Sequence, residues 1–168
     1  MKDLYTKRLY LRKITQSDAE QIYHGWASDD QVTKYLTWPT HKNLETTKSI
    51  VSYWIDEYKK DNCYRYGIEL LGLGSLIGMI DVAEYIDGNP MIGYVLSRQN
   101  WNHGYMSEAC QEIIRYLFEE GFQKILISAD VRNVGSNRVI EKCGFDFLNT
   151  ETKPCSSFKP EVVTVNWY

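Results

Sequence analysis

Between Arg98 and Ala109 the chain reads RQNWNHGYMSEA. Its centre, Asn102-His103-Gly104-Tyr105-Met106-Ser107, gathers small, polar and aromatic residues around one glycine where a helical pattern begins. The first amides of a helix have no intrahelical partners, and the macrodipole places partial positive charge beside them. A turn built on Gly104 can therefore present successive N–H groups to a bulky oxyanion, with no Cβ on the glycine to hold it off. Taken alone, the stretch also reads as an ordinary strand–helix turn. A second polar group, Asn133-Val134-Gly135-Ser136-Asn137-Arg138, opens a shorter helical pattern with Asn133 at its N-cap position.

The surrounding pattern supplies the elements that must position these residues. Arg8 to Lys13 alternates with period two and predicts a strand with one wet face. Thr15 to Asp18 resembles a capping box, followed by Ala19, Ile22, Tyr23 and Trp26 at helical spacing. A loop around Pro39 leads to a helix from about Leu44 to Lys59. Strands are expected over 64–70, 76–86 and 91–97, with Asp87-Gly88-Asn89-Pro90 as a turn, which makes an antiparallel meander. Cys110, Ile113, Ile114, Leu117 and Phe118 then define an apolar helical face, and Gly121 ends it. The run 124–131 reads as a strand reached through that helix, hence parallel to its predecessor. After the helix that Gly144 stops, 145–148 and 161–168 read as a closing hairpin. One α+β domain over 1–168 accounts for the whole pattern, without repeats or linkers.

With 168 residues the chain can bury one full core. A net charge of -3 leaves no basic stripe for nucleic acid, so no nucleic-acid partner is expected. Cys63, Cys110, Cys143 and Cys155 form no C-x-x-C pair and have no histidine at ligand spacing, which argues against a metal site; Cys110 and Cys143 read as core residues. No apolar run approaches the roughly 18 residues of a membrane span, and no signal-peptide pattern is present, so a cytoplasmic location with no membrane partner is expected.

The succession of a strand, WNHGYMSEA, a helix, a strand and NVGSNRVIEKCGF resembles the GNAT superfamily of acyl-CoA N-acyltransferases, and within it the RimJ/RimL-type ribosomal-protein N-terminal acetyltransferases. TKRLYLRKITQSDAEQIY, YLTWPT, LIGMIDV, IGYVLS and EKCGF carry the likeness along almost the whole chain. The resemblance implies a mixed, mostly antiparallel central sheet flanked by helices, with a parallel strand pair at a cofactor cleft. It implies acetyl-CoA as the acyl donor and CoA as product. The amides of His103, Gly104, Tyr105, Met106 and Ser107 would hold the pyrophosphate, with Asn102 at the edge. Asn102 stands where the family commonly has glycine, and asparagine tolerates the left-handed backbone such a turn needs. Strand residues Tyr94, Val95 and Leu96 would lie along the pantetheine arm as in strand addition. Asn133 would meet the pantetheine while also capping its helix, and Asn137 and Arg138 would reach the cofactor's outer parts.

For the chemistry, the resemblance points to a base and an acid, and both usual positions are changed. Met91 replaces the family glutamate, which leaves Asp81 and Glu84; period two puts them on opposite faces, and Asp81 is the expected base. Ile140 replaces the usual tyrosine acid. Ser136, four residues earlier on the same helical face, is expected to serve the thiol as a serine does in RimL-like members. The oxyanion donor is expected near Val95 or Leu96, and Trp38 is expected in the acceptor channel, whereas Trp26 and Trp54 read as core. The acceptor is a primary amine, small-molecule or protein N-terminus, and the protein is expected to be a monomer or homodimer. The competing reading is a non-catalytic acyl-CoA-binding or sensing module of the same fold.

Overall fold

The computed structural model describes residues 1–168. Five strands, β1 (Leu4–Tyr5), β2 (Leu9–Arg12), β3 (Arg65–Leu70), β4 (Ser75–Ile86) and β5 (Asn89–Leu96), form an antiparallel sheet in sequence order. Between β2 and β3 the chain runs through α1 (Ala19–Ile22), a wide π-helical turn over Tyr23–Ala27, α2 (Asp30–Thr33) and α3 (Leu44–Glu57). After β5 comes α4 (Tyr105–Glu119), then β6 (Ser128–Asp130), α5 (Val134–Lys142), β7 (Asn149–Pro154) and β8 (Val162–Trp167). The last three strands form a separate antiparallel sheet in the order β6-β8-β7. The fold is thus mixed α+β with mostly antiparallel sheets and flanking helices.

Side-chain alternation gives the large sheet two buried faces. Leu9, Leu11, Tyr66, Ile68, Ile80 and Ile92 pack with Cys110, Ile113 and Leu117 of α4. On the other face Ile14, Ile22, Trp26, Val51, Leu76, Met79 and Val95 pack together under α1 and α3. Burying one such large aliphatic side chain is worth about 2 kcal/mol, so the two clusters dominate the fold's stability.

The two sheets touch at one point. Met91 of β5 bridges Leu126 in parallel; Ile92 N–H donates to the Leu126 carbonyl (2.9 Å) and Leu126 N–H to the Pro90 carbonyl (2.9 Å). Beyond that point β6 pairs only with β8, so the later half of β5 keeps one free edge. This separation creates the cleft described below.

Three local expectations need correction. The hairpin after β4 closes on Asp87 (φ 50°) and Gly88 (φ 77°) alone, so Asn89 and Pro90 already belong to β5. Two left-handed residues in an Asp-Gly pair match the twist of the flanking strands and need no longer loop. The closing hairpin uses β7 at Asn149–Pro154 rather than 145–148. Its sequence, NTETKP, is almost wholly exposed, so it carries no apolar alternation to read. On α4 the buried stripe runs through Met106, Ala109, Cys110, Ile113, Tyr116 and Leu117, and Phe118 stays half exposed.

Candidate active site

The turn before α4 is local in origin. Asn102 (φ 63°) and Gly104 (φ 79°) both take left-handed backbone, and Gly104 is the N-cap of α4. A Cβ built on Gly104 would meet Arg8 Nη2 at 3.5 Å, an ordinary contact, so glycine is required here by its backbone angle. None of the N–H groups from Asn102 to Ser107 has an acceptor within the protein. A run of unpartnered donors at a helix N-terminus is what a phosphate oxyanion needs.

The loop is held from behind. Arg8 donates through Nη1 to the His103 carbonyl (3.0 Å) and through Nε to Glu108 (2.7 Å), while Thr6 Oγ1 donates to the same carboxylate (2.6 Å). The Arg8 guanidinium also lies 4.6 Å from the Tyr105 ring centroid. Burial alone would raise the Glu108 carboxyl, but the hydrogen bonds from Thr6 and Arg8 outweigh it and hold it below the usual carboxylate range.

A cavity of about 530 Å³ opens beside this turn. Tyr94, Val95 and Leu96 from β5, Asn102 and Gly104 to Ser107 from the turn, and Asn133 and Ser136 from α5 all line it. Gly135, Arg138, Val139 and Lys142, spaced by three and four, add one face of α5, and Gln31, Val32, Tyr35 and Leu36 supply the remaining wall. Because Ile92 N–H points at Leu126, period two also turns the main-chain groups of Tyr94 and Leu96 toward the free edge. Val95, in register with Met79, turns its amide back to β4, so an oxyanion donor on this strand falls to Tyr94 or Leu96. Trp101 Nε1 donates to the Leu96 carbonyl (2.8 Å) and fixes the strand's end.

On α5, Asn133 Oδ1 accepts from Ser136 N–H (3.1 Å), the N-cap bond that sets the helix start at the cleft. Ser136 Oγ lies 2.9 Å from the Tyr94 hydroxyl, a contact that sequence patterning did not reveal. Burial pushes that phenol well above its ordinary value, and its bond with Ser136 opposes the shift.

Asp81 and Asn137 are not brought to the cleft, and His103 contributes main chain alone. Asp81 lies on the opposite face of the sheet from Tyr94, and its carboxylate accepts from Arg65 Nε (3.0 Å) beneath the Trp54 ring. Burial raises its carboxyl above the ordinary value, while Arg65 pulls it down. Ile80 and Val82 pack toward α4, so alternation turns Asp81 to the other face, where its cross-strand partner is Arg65. His103 stacks on Tyr105, and its Nδ1 sits 2.8 Å from the Trp101 carbonyl, so only its main chain serves the turn. Asn137 spends its amide on the Asp130 and Asn133 carbonyls and its oxygen on Asn166 and Tyr168, tying α5 to the small sheet. Trp38 packs against the core beside His41 and not in the cleft, and Ile140 is fully buried. Glu84 is exposed. No group of three or more His, Cys, Asp or Glu is placed to hold a metal ion, and no helix is long and apolar enough to cross a membrane.

The cleft supplies an open strand edge, a run of free main-chain donors at its end and hydroxyls along its walls, features that suit an extended, anionic ligand. Comparison with known proteins names the family. A family model described as an acetyltransferase (GNAT) domain matches residues 8–146. An uncharacterized N-acetyltransferase of Bacillus subtilis, YoaA, is 32% identical over 145 residues, covering 84% of this chain and 81% of its own. The crystal structure of a GNAT-family acetyltransferase from Bacillus anthracis superimposes with a TM-score of 0.84 at 27% identity, over 99% of this chain and 96% of that one. A RimL ribosomal L7/L12 α-N-protein acetyltransferase, solved with coenzyme A, shares the fold with a TM-score of 0.83 at 18% identity, over 99% and 97% of the two chains. The chain belongs to the GNAT acetyltransferase family and is an N-acetyltransferase.

Proposed function

We propose that the protein transfers acetyl from acetyl-CoA directly to an α-amine, such as a protein or peptide N-terminus, with donor and acceptor bound together. The observation that carries this reading is the composition of the cleft wall, which contains no Asp, Glu or His. An alkyl amine of pKa near 10.4 costs about 4 to 5 kcal/mol to deprotonate at neutral pH and calls for a positioned base. An α-amine near 7.7 to 8.0 costs only about 1 kcal/mol, which a site without a base can tolerate.

The residues fit the cosubstrate through the free amides of 102–107, the outward main chain of Tyr94 and Leu96, and the cationic side chains Arg138 and Lys142. When bound, acetyl-CoA supplies an activated acyl carbon and a sulfur leaving group. The amides of His103 to Ser107 bind the diphosphate, β5 aligns the arm, Asn133 fixes the start of α5, and Ser136 presents its hydroxyl at the cleft.

Thiol release with an amine panel tests the reading. N-terminal peptides should turn over with kcat/KM at least about tenfold above polyamines or Nα-blocked lysine, with a rate that rises with pH toward 8. Asp81→Asn should retain kcat within about twofold, since its partner is Arg65. A polyamine preference, or loss of turnover in a folded Asp81→Asn protein, would reject the α-amine assignment. Tight CoA binding without turnover on any amine would return the protein to the sensing reading.

A further inference from the structure

The geometry around Ser136 points to a use for Tyr94 beyond its main chain. Its phenol crosses from β5 to α5 and contacts two atoms of the same residue, Ser136 Oγ at 2.9 Å and the Ser136 carbonyl at 3.2 Å. Ser136 Oγ has no other partner in the protein. Each hydroxyl has one proton, so two arrangements share these heavy-atom positions. In one, the phenol donates to the carbonyl and the serine donates back to the phenol. In the other, the phenol donates to Ser136 Oγ, and the serine proton is released toward the cleft. Rotation of two hydroxyl hydrogens interconverts them.

We propose that Tyr94 is a positioning residue that holds Ser136 in the second arrangement, so that Ser136 relays one proton from the attacking nitrogen to the departing sulfur. The inference rests on the function proposed above. As the C–N bond forms and the C–S bond breaks, Ser136 Oγ takes the proton the nitrogen sheds and gives its own to the sulfur, ending as the neutral hydroxyl it began as. A relay is required because neither hydroxyl is an adequate net acid. Burial keeps the Tyr94 phenol protonated, and a thiolate of pKa near 8.5 is too weak a base to leave a serine alkoxide behind. The relay also removes the need for an acidic or histidine base, which the wall does not contain.

The test needs Tyr94→Phe, Ser136→Ala and the double variant. Ultraviolet titration of the thiol of bound coenzyme A reads the donor directly, apart from turnover. A hydroxyl aimed at the sulfur stabilises the thiolate, so each single variant should raise the bound thiol's pKa by about 1 unit relative to the unaltered protein. The double variant should match Ser136→Ala. Calorimetric affinity for coenzyme A and thermal midpoints should stay near those of the parent, because the phenylalanine ring refills the same space. In steady state, Tyr94→Phe should lower kcat about tenfold with KM for acetyl-CoA unchanged, and add nothing to Ser136→Ala. A thiol pKa that Tyr94→Phe leaves unmoved, or additive losses in the double variant, overturns the relay while leaving the transferase reading intact. Failure of the unaltered protein to bind coenzyme A overturns both.

Discussion

Two walls of the cleft, the turn over 102–107 and the segment over 33–36, are each tied down by a cation from a distant part of the chain. Behind the turn, the Arg8 fork reaches the His103 carbonyl and Glu108 together, and Thr6 joins the same carboxylate. Behind the segment, a single ammonium, Lys159, donates to the carbonyls of Thr33 (3.3 Å), Lys34 (3.1 Å) and Leu36 (3.1 Å), with Ser156 donating to Thr37. Both devices occupy carbonyls, but only the first leaves a run of amides free for a ligand. A planar, multidentate anchor fixes orientation, whereas an ammonium on a flexible stem fixes position only. The difference suits the function proposed above: an anion cradle works only when its donors are already aimed, whereas a wall that would meet the acceptor can adapt.

Substitutions on the rigid side should have the largest effect. Gly104→Val forces a β-branched residue into left-handed backbone, a strain of about 2 to 3 kcal/mol, and should weaken acetyl-CoA binding by about a hundredfold in calorimetry. An unchanged affinity would mean that the cradle is not where the diphosphate sits. Arg8→Met removes the fork but keeps much of the stem's packing on Tyr105. Loss of a charge-assisted bond at a partly exposed position predicts about tenfold weaker acetyl-CoA binding, with little change in acceptor KM.

Lys159→Met sharpens the comparison from the other side. The segment over 33–36 would lose its shared donor, so acceptor KM should rise about threefold to fivefold while acetyl-CoA affinity stays constant. If cofactor affinity fell as well, the two walls would be mechanically coupled, and the contrast between them would fail.

What could be read from the sequence follows the same division. The Gly104 turn, the α4 periodicity and the Asn133 cap are local, so neighbouring residues state them. The ties to Arg8 and Lys159 join segments 95 to 126 residues apart, and only the topology brings them together. Within RLYLRK, Arg8 reads as part of a wet strand face because nothing nearby announces Glu108. Asp81 shows the converse. Alternation identifies a carboxylate on one of two faces, but which face packs on α4 is set by the tertiary fold, and there Asp81 meets Arg65 of the neighbouring strand. The resemblance points to the main chain of Tyr94, and its phenol has a partner only because α5 packs over β5.

The smallest effect is also the most specific to the rigid wall. Glu108 is held below the ordinary carboxylate range in the folded state, so its bonds to Thr6 and Arg8 add stability that is fully present above the unfolded value of about 4.3. That contribution is lost as pH falls through the lower folded value. Glu108→Gln should therefore lower the thermal midpoint by a constant few degrees from pH 8 to about pH 5, and the gap should close below about pH 4. Lys159 donates mainly to main-chain carbonyls, which do not titrate, and its ion pair with the half-exposed Glu161 carboxylate (3.5 Å) is screened by solvent, so the Lys159→Met midpoint difference should largely persist across the same acid range. A gap that closes for both variants would mean that acid loosens the fold as a whole and that the turn has no separate electrostatic anchor.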